Sequence, residues 1–189
     1  MLKYKPETHE YFWGDVPVDS VNQILKAEGV IPDFNFPAAE YKCQLGSYVH
    51  KAIKLYFGGK LDENSLSGPV KEYFEGAKKF IEDFAINPFE VEKFLYSQKH
   101  RFAGTPDFWD TKLYDWKCSC SIYPHYELTM GAYALLVEEF QKAKPTETIL
   151  IQLKPFDYKL HTINPNCKAF LALRYAYQWK KERGLYGKD

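Results

Sequence analysis

Apolar residues recur at helical spacing in four stretches of the chain, each bounded by a start or stop signal. Val21, Ile24 and Leu25 predict a helix over 21–28, with Asp19 or Ser20 as its cap and Gly29 at its end. Leu45, Val49, Ala52, Ile53 and Tyr56 predict a second over 38–57, stopped by Gly58-Gly59. Val70, Tyr73, Phe74, Ala77, Phe80, Ile81 and Phe84 predict a third over 69–85, broken by Asn87-Pro88. Leu128, Ala132, Leu135, Leu136 and Phe140 predict a fourth over 124–142, and Asn164 or Asn166 can cap a last helix to about residue 183. Between them lie strand-like runs at 89–97, 100–108, 112–119, 147–153 and 156–163. Tight turns at Asp110-Thr111-Lys112 and Lys154-Pro155 make two hairpins of them. Residues 9–18 read as a short hairpin or extended lead-in turning at Gly14-Asp15, with loops at 32–37 and 60–68 and a frayed polar tail. The third strand reaches the fourth through a helix, the usual route to a parallel crossover.

This order predicts one α/β (or α+β) domain over 1–189. Residues 1–37 form a lead-in with the first helix, and 38–183 form a core with a mixed five-stranded sheet flanked by helices. The length suffices for a full core. Composition narrows the function classes. Lys and Arg balance Asp and Glu at 25 each, so any polyanion must be met by local patches rather than by a global field. Cys43, Cys118, Cys120 and Cys167 contain no Cys-x-x-Cys pair and fit neither a disulfide scaffold nor a zinc site, which predicts free thiols in a reducing compartment. The N-terminus has no apolar signal core, and no run approaches membrane-spanning length, so a cytoplasmic protein without membrane contact is expected.

Candidate chemistry concentrates between Phe102 and Cys118. In a strand, alternation puts Asp115 and Lys117 on one face and Tyr114, Trp116 and Cys118 on the other. An acid and a lysine in an otherwise apolar strand are costly unless that face opens onto a cleft holding a metal ion. Acid-x-Lys triplets are common: Glu40/Lys42, Asp110/Lys112 and Asp157/Lys159 are others. Only Asp115/Lys117 has a second acid, Asp107, across a hairpin. His50 sits one position off the apolar stripe of its helix, either as a ligand or as a hydrogen-bonded boundary histidine. Gly46, one turn earlier, would let something approach that helix closely.

In this arrangement the chain resembles the PD-(D/E)XK nuclease superfamily, specifically RecB-type exonucleases of the kind phages encode. The likeness rests on Gly46-Ser47-Tyr48-Val49-His50, Gly104-Thr105-Pro106-Asp107, Tyr114-Asp115-Trp116-Lys117 and the helix from Tyr126 to Tyr133, in that order. The run from Tyr11 to Ala27 is also similar to the phage proteins' lead-in. Two departures stand out. Thr129 occupies the place of a glutamine in the family's Gln-x-x-x-Tyr motif, and the lead-in reads Val-Pro-Val-Asp-Ser-Val-Asn. The iron–sulfur cluster of some relatives does not fit this cysteine spacing.

The resemblance implies a restriction-endonuclease-like core and a Mg²⁺- or Mn²⁺-dependent deoxyribonuclease, an exonuclease of phage or bacterial recombination or repair. It implies that His50, Asp107, Asp115 and the Trp116 carbonyl bind one metal. Glu92 would support a second, or is a plain exposed strand acid. Lys117 would orient or deprotonate the attacking water, or stabilise the phosphate. Burial and a metal would lower its pKa and Asp115 would raise it, and the sequence does not rank these effects. Tyr133 and Thr129 would hold the DNA backbone, with Tyr133 as a core aromatic the alternative. Lys99, His100, Arg101, Lys51 and Lys54 are further backbone contacts or simply solvated charges. A single-strand annealing protein is the partner that the resemblance suggests. Competing readings are an endonuclease of the same superfamily, an inactive DNA-binding protein on the same fold, and a structural phage protein without a DNA role.

Overall fold

A computed structural model describes residues 2–5, 10–32 and 37–186. The expected loop at 32–37 and the end of the polar tail fall largely outside these residues. The architecture is a mixed α/β domain whose central sheet has five strands, in the order β10-β9-β8-β7-β4. These strands are β4 (Glu90–Val91), β7 (Phe108–Trp109), β8 (Leu113–Lys117), β9 (Thr148–Lys154) and β10 (Asp157–Thr162). β8 and β9 run parallel, joined through α4 (His125–Gln141), and the other pairs are antiparallel.

Two of the expected strands are each broken in two. Residues 89–97 divide into β4 and β5 (Leu95–Ser97), because the backbone turns at Glu92 with φ +43°. Residues 100–108 divide into β6 (Phe102–Gly104) and β7, separated by Pro106, which cannot donate to a ladder. β5 and β6 pair with each other in a separate two-stranded sheet. A three-stranded sheet of β1 (Leu2–Lys5), β2 (Glu10–Trp13) and β3 (Val16–Val18) precedes the core. The expected turn at Gly14-Asp15 joins β2 to β3, whereas β1 is an addition to the sequence reading.

The helices follow their signals closely. α1 (Val21–Ala27) starts with a capping box, in which the Ser20 hydroxyl accepts the Gln23 N–H and Gln23 accepts the Ser20 N–H. α2 spans Pro37–Phe57 and α3 spans Gly68–Asp83 with a proline in its first turn. α5 (Cys167–Glu182) is capped by the Asn166 side chain, which accepts the Ala169 N–H at 3.1 Å.

Both sheet faces are covered. Leu113 and Leu150 pack with α1, α4 and α5, while Phe108, Tyr114, Trp116, Ile149 and Ile151 pack with α2 and α3. Across the β7–β8 hairpin, Phe108 stacks on Tyr114 at 4.6 Å and on Trp116 at 4.9 Å. Such ring pairs add about 0.5–1.5 kcal/mol each beyond their area. The face carrying Asp115 is covered in part by α4, and its Lys117 end borders a cleft. Among the described residues, no helix is long and apolar enough to cross a membrane.

Two helical glycines make opposite demands. A Cβ at Gly76 would lie 2.3 Å from the Asp157 carbonyl oxygen and 2.6 Å from that of Lys154, so α3 packs backbone-to-backbone on the β9–β10 turn. A Cβ at Gly46 would meet nothing within 4 Å, so the close approach expected there is not made by any described residue. Gly76→Ala should therefore lose about 1–3 kcal/mol through overpacking. Gly46→Ala should gain up to about 1 kcal/mol of helix propensity. Urea denaturation of the two variants checks both signs.

Candidate active site

The site forms where the β7–β8 ladder stops. Its last pair is Phe108 opposite Tyr114, and Asp107 then turns its side chain inward. One carboxylate oxygen of Asp107 accepts the Trp116 N–H at 2.7 Å, taking the place of the missing strand partner. The other lies 3.1 Å from His50 Nδ1, on α2. The Asp107 carbonyl accepts the Glu92 N–H at 2.6 Å, which holds the left-handed kink between β4 and β5. That kink swings Glu92 into the site instead of leaving it on a strand face. One ligand atom each of His50, Glu92 and Asp107 thus lies within 4.8 Å of the others, the separation at which one cation can be shared.

Asp115 and Lys117 lie beside this trio on β8. Asp115 is 2% exposed, and Lys117 is ion-paired to its Oδ2. That buried oxygen nonetheless accepts no properly directed hydrogen bond among the described residues. A hard divalent cation is the species that hard oxygen donors and one imidazole would accept, and an under-satisfied buried carboxylate fits such a centre. His50, Glu92 and Asp107 could hold the ion, with Asp115 alongside.

The electrostatics are those of crowded acids. Burial pushes Asp115 up to about 6, and Asp107 adds to the rise, against the pull of Lys117. Burial likewise raises Glu92, again with Asp107 contributing and Lys54 opposing at 3.1 Å. Asp107 goes the other way. Burial would raise it, but His50, Lys117 and the Trp116 N–H hold it below the usual carboxylate range. His50 is raised, because Asp107 outweighs the burial of the ring. For Lys117, burial would favour the neutral amine, but Asp115 and Asp107 overcome it and keep the ammonium charged. Between the two opposing effects on this lysine, the carboxylates win in the protein alone.

Two clefts flank the trio. One, of about 650 Å³, is bordered by Tyr11, Glu92, Thr105, Asp107 and Tyr133. The other, of about 630 Å³, is bordered by His50, Trp116, Lys117 and Tyr126. Asn22 borders both. Tyr133 is buried, and a Cβ on Gly104 would come within 3.0 Å of its ring, so the glycine is what lets α4 close on the site. Thr129 is buried, and its hydroxyl donates to the His125 carbonyl at 3.3 Å within α4, away from either cleft. Lys99 and Arg101 sit in the β5–β6 turn, at the far end of β6 from Gly104, and Arg101 borders a separate cavity. His100 is buried against Tyr175, and Lys51 is exposed. The sequence reading gave no role to Tyr11, whose hydroxyl shares a 2.6 Å hydrogen bond with Thr105 and so seats the N-terminal sheet on the site wall. The placement of Thr105 beside Asp107 was the available signal.

No family model matches the chain, and no curated protein matches it. Among solved structures, it is similar to a candidate exonuclease from Eubacterium rectale, with 14% identity over 87% of this chain and 77% of that one and a TM-score of 0.46. At that distance the likeness assigns no activity to this chain.

The Asp115–Lys117 pair makes a testable demand on stability. Lys117→Met should cost about 3 kcal/mol, because it leaves a buried carboxylate without its counter-charge. Adding Asp115→Asn should restore more than half of that loss. A double-mutant cycle by urea denaturation measures the coupling.

Proposed function

We propose that this chain is a divalent-metal-dependent deoxyribonuclease, acting as an exonuclease on DNA. The observation that carries this reading is the convergence of His50, Glu92 and Asp107 from three separate elements, with the buried Asp115–Lys117 pair next to them. Structural ion pairs rarely gather three acids in one place, because like charges raise one another's cost. Gathering them makes sense where a cation is to be held. A bound Mg²⁺ or Mn²⁺ would polarise a phosphate oxygen and make a water more acidic.

The chain's own residues supply the rest. His50, Glu92 and Asp107 bind the ion, and Asp115 supports it and positions Lys117. The Lys117 ammonium, held charged by two carboxylates, is a fixed positive group for the charge that builds on the phosphate. Tyr133 and Tyr11 close the first cleft around the reacting end, and Lys54 and Lys26 at its rim supply charge for the backbone.

The test is cleavage of end-labelled linear DNA and of closed circular DNA, with Mg²⁺, Mn²⁺ or chelator. The expected result is metal-dependent loss of linear DNA only. Asp115→Asn should abolish it, and Lys117→Ala should lower kcat by about 10²–10³ with little change in DNA affinity. Cutting of circles would instead mark an endonuclease, and binding without cleavage an inactive DNA-binding protein. Metal binding has its own readout. Mn²⁺ at 100 times its Kd should stabilise the folded protein by about 2.7 kcal/mol, and His50→Ala or Asp107→Asn should remove that gain.

A further inference from the structure

A third cavity, of about 650 Å³, lies between the N-terminal sheet and α5, away from the His50–Glu92–Asp107 trio. Three features of its wall point to a ligand. At the rim, Trp13 stacks on Tyr96 with ring centroids 4.9 Å apart and planes within 28°, and Trp13 is 39% exposed. One face of the indole is thus used by Tyr96, and much of the ring remains open to solvent. On the floor, Arg174 is 4% exposed and donates from Nε (3.3 Å) and Nη2 (3.0 Å) to the Arg101 carbonyl. That clamp holds Arg101 at φ +55°, a conformation in which a side chain is costly and glycine is not. The chain therefore places an exposed arginine where a glycine would sit without strain.

The cations of the lining outnumber its acids, Arg101, Arg174 and Lys181 against Asp19 and Glu182. Asp19 accepts from Lys181 at 2.5 Å and from Tyr177 at 2.9 Å. Glu182 accepts the neutral Gln178 amide at 2.7 Å and keeps its charge. The wall therefore carries one net positive charge, which favours an anion.

We infer that this cavity binds a nucleotide unit, its base stacked on Trp13 and its phosphate held by Arg101 and Arg174. A flat ring beside a phosphate is the ligand that an open indole and two guanidiniums recognise together. The unit is either a free nucleotide or one residue of a single strand. The inference goes beyond the nuclease reading, since neither the trio nor a metal takes part.

The experiment measures binding of a fluorescein-labelled oligothymidylate by anisotropy, and of thymidine monophosphate by quenching of tryptophan fluorescence, both in EDTA. Arg101→Glu and Trp13→Leu should each weaken binding by about tenfold or more. Lys159→Glu, an equal charge change on β10, should leave it unchanged. A strand site holds the oligomer at least about tenfold tighter than the monophosphate, whereas a free-nucleotide site holds the two alike. Either pattern supports the site if both variants lose it. Binding that survives Arg101→Glu, or no binding of either probe, overturns it. Arg101 is exposed, so its variant stays interpretable if Trp13→Leu misfolds. Absence of metal keeps the result separate from any failure of cleavage.

Discussion

The Asp107 carboxylate and carbonyl together tie three elements that sequence places far apart. One oxygen reaches His50 on α2, another the Trp116 amide on β8, and the backbone carbonyl holds Glu92 at the end of β4. Without that carboxylate, β8 has an unpaired amide and His50 loses its partner, leaving the Lys54–Glu92 pair to tie α2 to the end of β4. Because an unmet buried donor costs about as much as a hydrogen bond contributes or more, the site's geometry and the sheet's local integrity are the same problem. The acids are held close by the fold, in spite of their mutual repulsion.

That arrangement explains why parts of the site were legible in the sequence and others were not. Alternation alone assigned Asp115 and Lys117 to one face, and the β7–β8 turn put Asp107 across from them. His50 was placed by helical spacing. The five strands of the sheet and its parallel crossover were legible because turn residues and helix length constrain them. The weight of Glu92 was not, because a left-handed glutamate carries no compositional mark, and a run such as Glu90 to Ser97 reads as one strand. The break at Pro106 was readable in principle, since proline has no N–H to give a ladder. Gly46 was assigned a close neighbour because a glycine permits one, yet a backbone approaches Gly76 and not Gly46. Only tertiary packing distinguishes the two.

The charged groups outside the trio show a similar division. Lys99 and Arg101 are near the site in sequence but belong to the opposite end of a short hairpin. Lys54, one turn past His50, is at the site and engages Glu92. Nearness along a strand is a poor guide to nearness in space once the strand is interrupted, whereas helical spacing carries over faithfully.

The first and last helices are linked in a way that bears on synthesis. Lys181 and Tyr177 of α5 hold Asp19, just ahead of α1, and Lys180 and Tyr186 hold Glu28 just after it. Asn22, on α1, borders both clefts. The wall of the site nearest the beginning of the chain is therefore clamped by residues translated more than 150 positions later. A ribosome will have released His50, Glu92 and Asp107 well before that clamp exists. Assembly of the full site is a late event in the life of each molecule, coupled to completion of α5 rather than to the appearance of the residues that line it.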